Sequence, residues 1–229
     1  MIPKVTTLTL LGALISAESA AADGPVLIEL FTSQGCNSCP PADAYLGDLA
    51  KRRDVIALAF HVDYWDYIGW KDSFADAAWT QRQRLYARSL GTQQIYTPQM
   101  VIDGGKHAVG SDRPAVERLI GEAAKRNRPA LAVKRTAEGL SLTIEGQGEG
   151  EVWIVGYDPR HDTKVPRGEN AGKTLAEFNV VRGMVRIDAW KGGALARTLA
   201  ASELPPGVAH VALIQAPNLG RVLAAAATP

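Results

Sequence analysis

Val26-Leu27-Ile28-Glu29-Leu30-Phe31-Thr32-Ser33-Gln34-Gly35-Cys36-Asn37-Ser38-Cys39-Pro40-Pro41-Ala42-Asp43 decides how the rest of the chain is read. Its first seven residues form a short, mostly apolar run after Gly24-Pro25, the signature of a strand buried on both faces. Ser33-Gln34-Gly35 breaks the run, and the two cysteines of the chain follow, three positions apart. Ala42, Tyr45, Leu46, Leu49 and Ala50 then recur at helical spacing and define one apolar face. Lys51-Arg52-Arg53 suits the negative end of the helix dipole. The cysteines therefore sit where a buried strand turns into a helix.

Outward from that turn, Val55 to Val62 reads as a second buried strand, joined to the first by a helix and so parallel to it. Ser73 with Asp76 resembles a capping box for a helix reaching about Leu90. Gln99 to Asp103 is a third strand after Thr97-Pro98, and Asp103-Gly104 is a hairpin signal returning through Lys106 to Val109. Asp112 and Pro114 open a last helix carrying Val116, Leu119, Ile120, Ala123 and Ala124. After Asn127-Arg128-Pro129 the pattern changes to period two, with Leu140, Leu142 and Ile144 facing one way. Val152 to Tyr157, Asn179 to Asp188, Val208 to Gln215 and Arg221 to Ala226 read as further strands, and Asp158 to Lys173 as one polar loop. The expected architecture is an α/β unit of order β-α-β-α-β-β-α over residues 23–128, followed by a small, mostly antiparallel β-sandwich over residues 129–229.

Composition excludes several classes. Lys plus Arg is 25 and Asp plus Glu is 24, so the net charge of +1 leaves no basic excess for nucleic-acid binding. A hydrophobic content of 46% is enough for a packed core, which excludes a disordered chain. No uncharged apolar run reaches the roughly 18–20 residues that span a bilayer. Residues 1–22 read as an export signal: Lys4 precedes the apolar run Thr6 to Ala17, and Ala20-Ala21-Ala22 suits the peptidase. The expected location is periplasmic or secreted, an oxidising compartment in which a disulfide persists.

A Cys-x-x-Cys pair can cycle between dithiol and disulfide, supply half a metal site, or act as a local staple. A helix N-terminus favours a thiolate and lowers a cysteine pKa from about 8.5 into the range of roughly 3.5–7.5. In the cycling reading Cys36 is the exposed nucleophile and Cys39 resolves the mixed disulfide. Pro40-Pro41 departs from a simple helix start, because a residue before proline is pushed away from helical angles. The regular helix is therefore expected to begin late.

Cysteines after a buried strand, followed about sixty residues later by Thr97-Pro98 before a strand and hairpin, resemble the thioredoxin-like superfamily over Val26 to Arg126. That resemblance implies a cis peptide bond before Pro98, beside the cysteines, with Thr97 pairing with bound substrate. Glu29 to Asp43, His61 to Trp70, Tyr96 to Gln99 and Asn179 to Arg182 further resemble the exported domain-of-unknown-function family numbered 1223. This second resemblance implies export and no established substrate.

The loop after the second strand should open at the same sheet edge as the cysteines, where α/β folds bind ligands. It carries His61, Asp63, Tyr64, Trp65, Tyr67 and Trp70. The aromatics either pack the loop itself or form a wall that grips an apolar segment of substrate. His61 or Asp63 could move protons, or His61 could be a structural histidine. Gln81-Arg82-Gln83-Arg84 reads as a solvated helix face.

The reading that unites these features is an exported thiol–disulfide oxidoreductase. Cys36 and Cys39 are the catalytic pair and the disulfide; Thr97, Pro98, His61, Asp63, Trp65 and Trp70 bind substrate. It needs no cofactor and no resident metal. Its partner is a protein or small-molecule thiol or disulfide, with a membrane redox protein as electron donor if it works as a reductant. The C-terminal half recognises a partner or forms a homodimer surface. The alternatives are a copper or zinc handling module using both thiolates with His61, and a non-enzymatic binding protein with a structural disulfide.

Overall fold

The computed structural model describes residues 24–228, so the expected signal segment 1–22 lies outside the described residues. The first half runs β1 (Val26–Thr32), α1 (Pro40–Leu49), β2 (Val55–His61), α2 (Ala77–Ser89), β3 (Gln99–Ile102), β4 (Lys106–Val109) and α3 (Arg113–Ala124). The second half runs β5 (Ala130–Arg135), β6 (Gly139–Glu145), β7 (Gly150–Lys164), β8 (Thr174–Trp190), β9 (Leu195–Ala200), β10 (Ala209–Gln215) and β11 (Val222–Ala227).

These strands overturn the expected fold class. The protein is mostly β, and eight strands from both halves form one mixed sheet in the order β11-β10-β7-β8-β2-β1-β3-β4. An α/β thioredoxin-like unit with a separate small sandwich would have left β2 at an edge. Instead β8 docks in parallel on β2, with Ala59 opposite Val180. The physical reason lies in β2 itself. Its residues are apolar on both faces, and an uncovered edge of that kind is a liability for aggregation. Asn179, at φ 47°, completes the seal by donating its side-chain amide to the Ala57 carbonyl at 2.8 Å.

The second correction concerns Asp158 to Lys173. Polarity there suggested a loop, yet β7 and β8 are 15 and 17 residues long and pair from Gly150↔Trp190 to Lys164↔Thr174. An antiparallel ladder satisfies the backbone whatever the side chains are, so an arm with one solvated face can be both polar and extended. Only Val165 to Lys173 forms its tip.

The core is layered about the large sheet. Val26, Ile28 and Leu30 of β1 pack with Ala57 and Ala59 of β2 against α1 and α3. Leu27, Phe31, Leu58 and Phe60 face the opposite way, toward Trp79 and Tyr86 of α2 and toward Val155, Val181 and Val211. A third cluster joins Leu140, Leu142 and Ile144 of the small sheet β5-β6-β9 to Val152, Ile154, Trp190 and Ile214. Of the C-terminal strands, β7, β8, β10 and β11 therefore share one sheet with the N-terminal half, and β5, β6 and β9 pack against it as a second sheet.

Local chemistry sets the helix ends. α1 starts at Pro40, immediately after Cys39 at φ −78° and ψ −36°, so the expected late start does not occur. Pro40 and Pro41 fall in the first turn, where no backbone N–H is required. α2 is capped by Asp76, which accepts from the Ala78 N–H at 2.8 Å, and not by Ser73. Asp112 caps α3 through the Ala115 N–H. At the β3–β4 turn Asp103 and Gly104 take φ 46° and 60°, which glycine adopts without cost. The face expected to be solvated is partly interior: Arg82 and Gln83 are buried, and Arg82 Nε donates to Glu29 Oε1 at 2.8 Å.

Candidate functional site around the Cys36–Cys39 disulfide

The chain leaves β1 and tightens over Ser33 to Cys36, with the Cys36 N–H on the Ser33 carbonyl at 3.1 Å. The Cys39 N–H reaches the Cys36 carbonyl at 3.3 Å, and the Ala42 and Asp43 N–H groups continue the helix onto the Cys39 carbonyl. Cys36 and Cys39 are joined in a disulfide, with Cα atoms 5.4 Å apart. Their exposure is 1% and 0%, so Cys36 is not the open nucleophile expected from its position. Asn37 and Ser38 face solvent instead. The Thr97–Pro98 peptide bond is cis.

Trp65 links these segments. Its indole N–H donates to Thr97 Oγ1 at 2.7 Å. Its own backbone lies against Gly35, where an added Cβ would meet Trp65 Cβ at 3.0 Å. Trp70 donates to Gln34 Oε1 at 2.8 Å. The Trp70 indole thus engages the cysteine loop itself, and the Trp65 indole engages the residue before the cis bond. Tyr64 is tied to Gln83, and Tyr67 is 81% exposed. Asp63 turns to α2, where its carboxylate accepts from Thr80 Oγ1 at 2.6 Å. Of the residues named from sequence, Trp70 holds Gln34 directly, His61 holds it through Asp72, and Trp65 joins Thr97 to Gly35, while Pro98 lies beside Gly110, which also meets Ala42 of α1. Asp63 anchors the far side of the aromatic loop.

His61 ends β2 with its Nδ1 2.7 Å from Asp72 Oδ2, and both side chains are buried. Asp72 also accepts from the Gln34 N–H at 2.8 Å and the Phe74 N–H at 2.9 Å. Burial opposes a charge on His61, but Asp72 chiefly, with Glu177 and Asp43, outweighs it and raises the imidazole to about 9. For Asp72 burial favours the neutral acid, and the His61 charge with these hydrogen bonds overcomes it, holding the carboxyl below its ordinary range. His61 Nε2 is buried without a hydrogen-bond partner.

Two further acids complete the interior cluster. Asp43 lies one helical turn after Cys39 and accepts from Thr32 Oγ1 at 2.7 Å. Its burial raises it to about 7, despite the opposing pull of His61 and Thr32. Glu177, on β8, accepts from Gln34 Nε2 at 2.8 Å and Thr163 Oγ1 at 2.6 Å. Burial raises it as well, against His61 and those hydrogen bonds. Sequence reading missed Asp43, Asp72, Glu177 and Gln34. Asp43 carried a signal: it interrupts the apolar face of α1 at the fourth position after Cys39. Glu177 carried none, since nothing in the sequence brings β8 to β2.

The arrangement does not gather the metal set of Cys36, Cys39 and His61. The sulfurs bind each other, and His61 Nδ1 is engaged by Asp72. Among the described residues no three His, Cys, Asp or Glu side chains are grouped to hold an ion. No helix among the described residues is long and apolar enough to cross a membrane.

A family model described as "Protein of unknown function (DUF1223)" matches residues 27–215. No curated protein matches the chain. The crystal structure of protein AGR_C_4864 from Agrobacterium tumefaciens is similar at 30% identity and a TM-score of 0.78, over 90% of this chain and 94% of that one. HBP35 of Porphyromonas gingivalis is similar at 12% identity and a TM-score of 0.57, over 89% of this chain and 74% of that one, a likeness of fold alone. With the matched region spanning both halves of the continuous sheet, the chain belongs to the DUF1223 family of proteins of unknown function.

Proposed function

We propose that the protein is exported and exchanges its Cys36–Cys39 disulfide with thiol partners. The observation that carries this reading is the disulfide at the start of α1, backed by the buried Asp43, whose carboxyl stands at about 7. A group poised there can take up or release a proton as a thiol becomes a thiolate. In the exchange, a thiolate of a partner dithiol attacks Cys36 Sγ and the Cys36–Cys39 bond breaks. The electron pair leaves on Cys39 Sγ, which is then protonated. The partner's second thiolate attacks its own sulfur in the mixed disulfide and releases Cys36. The partner is oxidised by two electrons and this pair is reduced by two; the reverse sequence transfers them back.

The test is catalysis of insulin reduction by dithiothreitol, comparing wild type with Cys36→Ser. A rate above background that vanishes in the variant is expected; equal rates overturn the reading. Export is tested by sequencing the mature N-terminus, expected near residue 23.

One observation favours a second reading. Both sulfurs are buried, as in a disulfide that merely staples the strand to the helix within a binding protein. A reduction potential below about −300 mV together with inert thiols would mark that role.

A further inference from the structure

The tip of the β7–β8 arm reaches back over the cysteine loop. Asn170 inserts its side-chain amide there, and Nδ2 donates to the Gln34 carbonyl and to the Cys36 carbonyl, each at 2.9 Å. Its Oδ1 accepts from Lys173 Nζ at 2.9 Å, which fixes the orientation of the amide. Asn170 is 0% exposed, and across residues 166–173 it is the one buried residue. A second contact sets Gly168 against Trp70, where an added Cβ would come within 3.0 Å of Trp70 Cβ. Beyond the buried Val165 at its base, the tip is solvated over residues 166–173 except at Gly168, which is half-buried, and at Asn170, whose side chain is plugged into the backbone of the cysteine loop.

We propose that the tip is a cover over the Cys36–Cys39 disulfide, with Asn170 as its clasp, and that it lifts before a partner thiol reaches Cys36. This rests on the exchange reading above. Segments with few buried contacts are those that open locally while the fold stays intact, and lids of this kind exclude solvent and unwanted reactants until a partner arrives. The stem below the tip is held by the continuous β7–β8 ladder and by Gln34, Thr163 and Glu177, so the hinge lies at Val165 and Lys173. Asn170 is a positioning residue: it touches the redox loop through main-chain carbonyls and does no chemistry.

The test is the rate at which a phosphine reduces the disulfide of the full chain, read by alkylation and mass. Asn170→Ala, and Asn170→Asp, which turns an oxygen on the two carbonyls, are compared with wild type. Leu142→Ala, in the distant three-stranded sheet, is the control for general loosening. At least a five-fold acceleration in both Asn170 variants, and not in Leu142→Ala, is expected. Hydrogen exchange in wild type should show residues 166–173 opening faster than the β7 and β8 stems. Unchanged rates in the Asn170 variants overturn the cover, and so does equal acceleration by Leu142→Ala. If the variants gain phosphine reactivity but no form exchanges with insulin, the cover stands and the exchange reading fails. If wild type exchanges with insulin and Asn170→Ala is no faster with either reagent, the reverse holds.

Discussion

Asp72 Oδ2 lies 2.7 Å from His61 Nδ1 and 2.8 Å from the Gln34 N–H, so a single carboxylate oxygen joins the end of β2 to the loop that carries the cysteines. The loop's position thereby depends on a buried charge pair. Removing one member of such a pair leaves the other uncompensated. Asp72→Asn is expected to cost roughly 3–5 kcal/mol of stability, measured by urea unfolding at pH 7.

The same pair sets a pH dependence. The folded-state imidazole of His61 is raised from 6.5 to about 9. Its contribution to stability is fully present below 6.5 and is lost as the pH rises through about 9. Unfolding midpoints from pH 6 to 10 should fall over that window in wild type. His61→Ala should flatten the slope.

Asp43 works with the opposite chemistry and the same direction. Its folded pKa of about 7 exceeds the ordinary 3.8, so the folded state holds a proton that the unfolded chain releases. Stability therefore declines as pH rises from 3.8 through about 7. Asp43→Asn keeps an acceptor for Thr32 and removes the buried charge. It should be more stable than wild type at pH 8 by up to about 4 kcal/mol, by thermal and denaturant unfolding.

Gly47 faces β8 across α1. A Cβ there would meet the Phe178 ring at 2.6 Å. In an exposed helix Gly→Ala gains about 1 kcal/mol, yet overpacking costs roughly 1–3 kcal/mol. Gly47→Ala is expected to destabilise, and Gly47→Ala with Phe178→Ala to recover part of the loss. A gain in the single variant would contradict the packing of α1 on β8.

The buried Arg82 holds Glu29, while Tyr86 donates to the other Glu29 oxygen and Gln215 joins from β10. Arg82→Met should cost roughly 3–5 kcal/mol, because Glu29 keeps its burial without its cation. Glu29→Gln in the same background should restore part of it, as read by a double-mutant cycle.

What the sequence made legible was local. Val26 to Thr32 showed a strand buried on both sides, Ala42 to Leu49 a helix face, and Asp112 a cap, because each is governed by neighbours within a few positions. Asn179 and Glu177 lie on a strand whose docking partner is far away in the chain, and their roles could not be read from periodicity. Asp158 to Lys164 misled for a related reason: charge marks contact with water, which extended arms and loops share. Arg82 misled because a cation usually faces solvent, and its burial is accounted for by Glu29 on β1 with Tyr86 and Gln215, two of them far away in the chain.

The meeting of Ala59 with Val180 joins positions about 120 residues apart, and the central sheet closes only there. The open flank of β2 finds its neighbour only when β8, in the other half of the fold, is in place. Assembly of the sheet is therefore a collective event, and until both halves meet the flank of β2 stays an adhesive border.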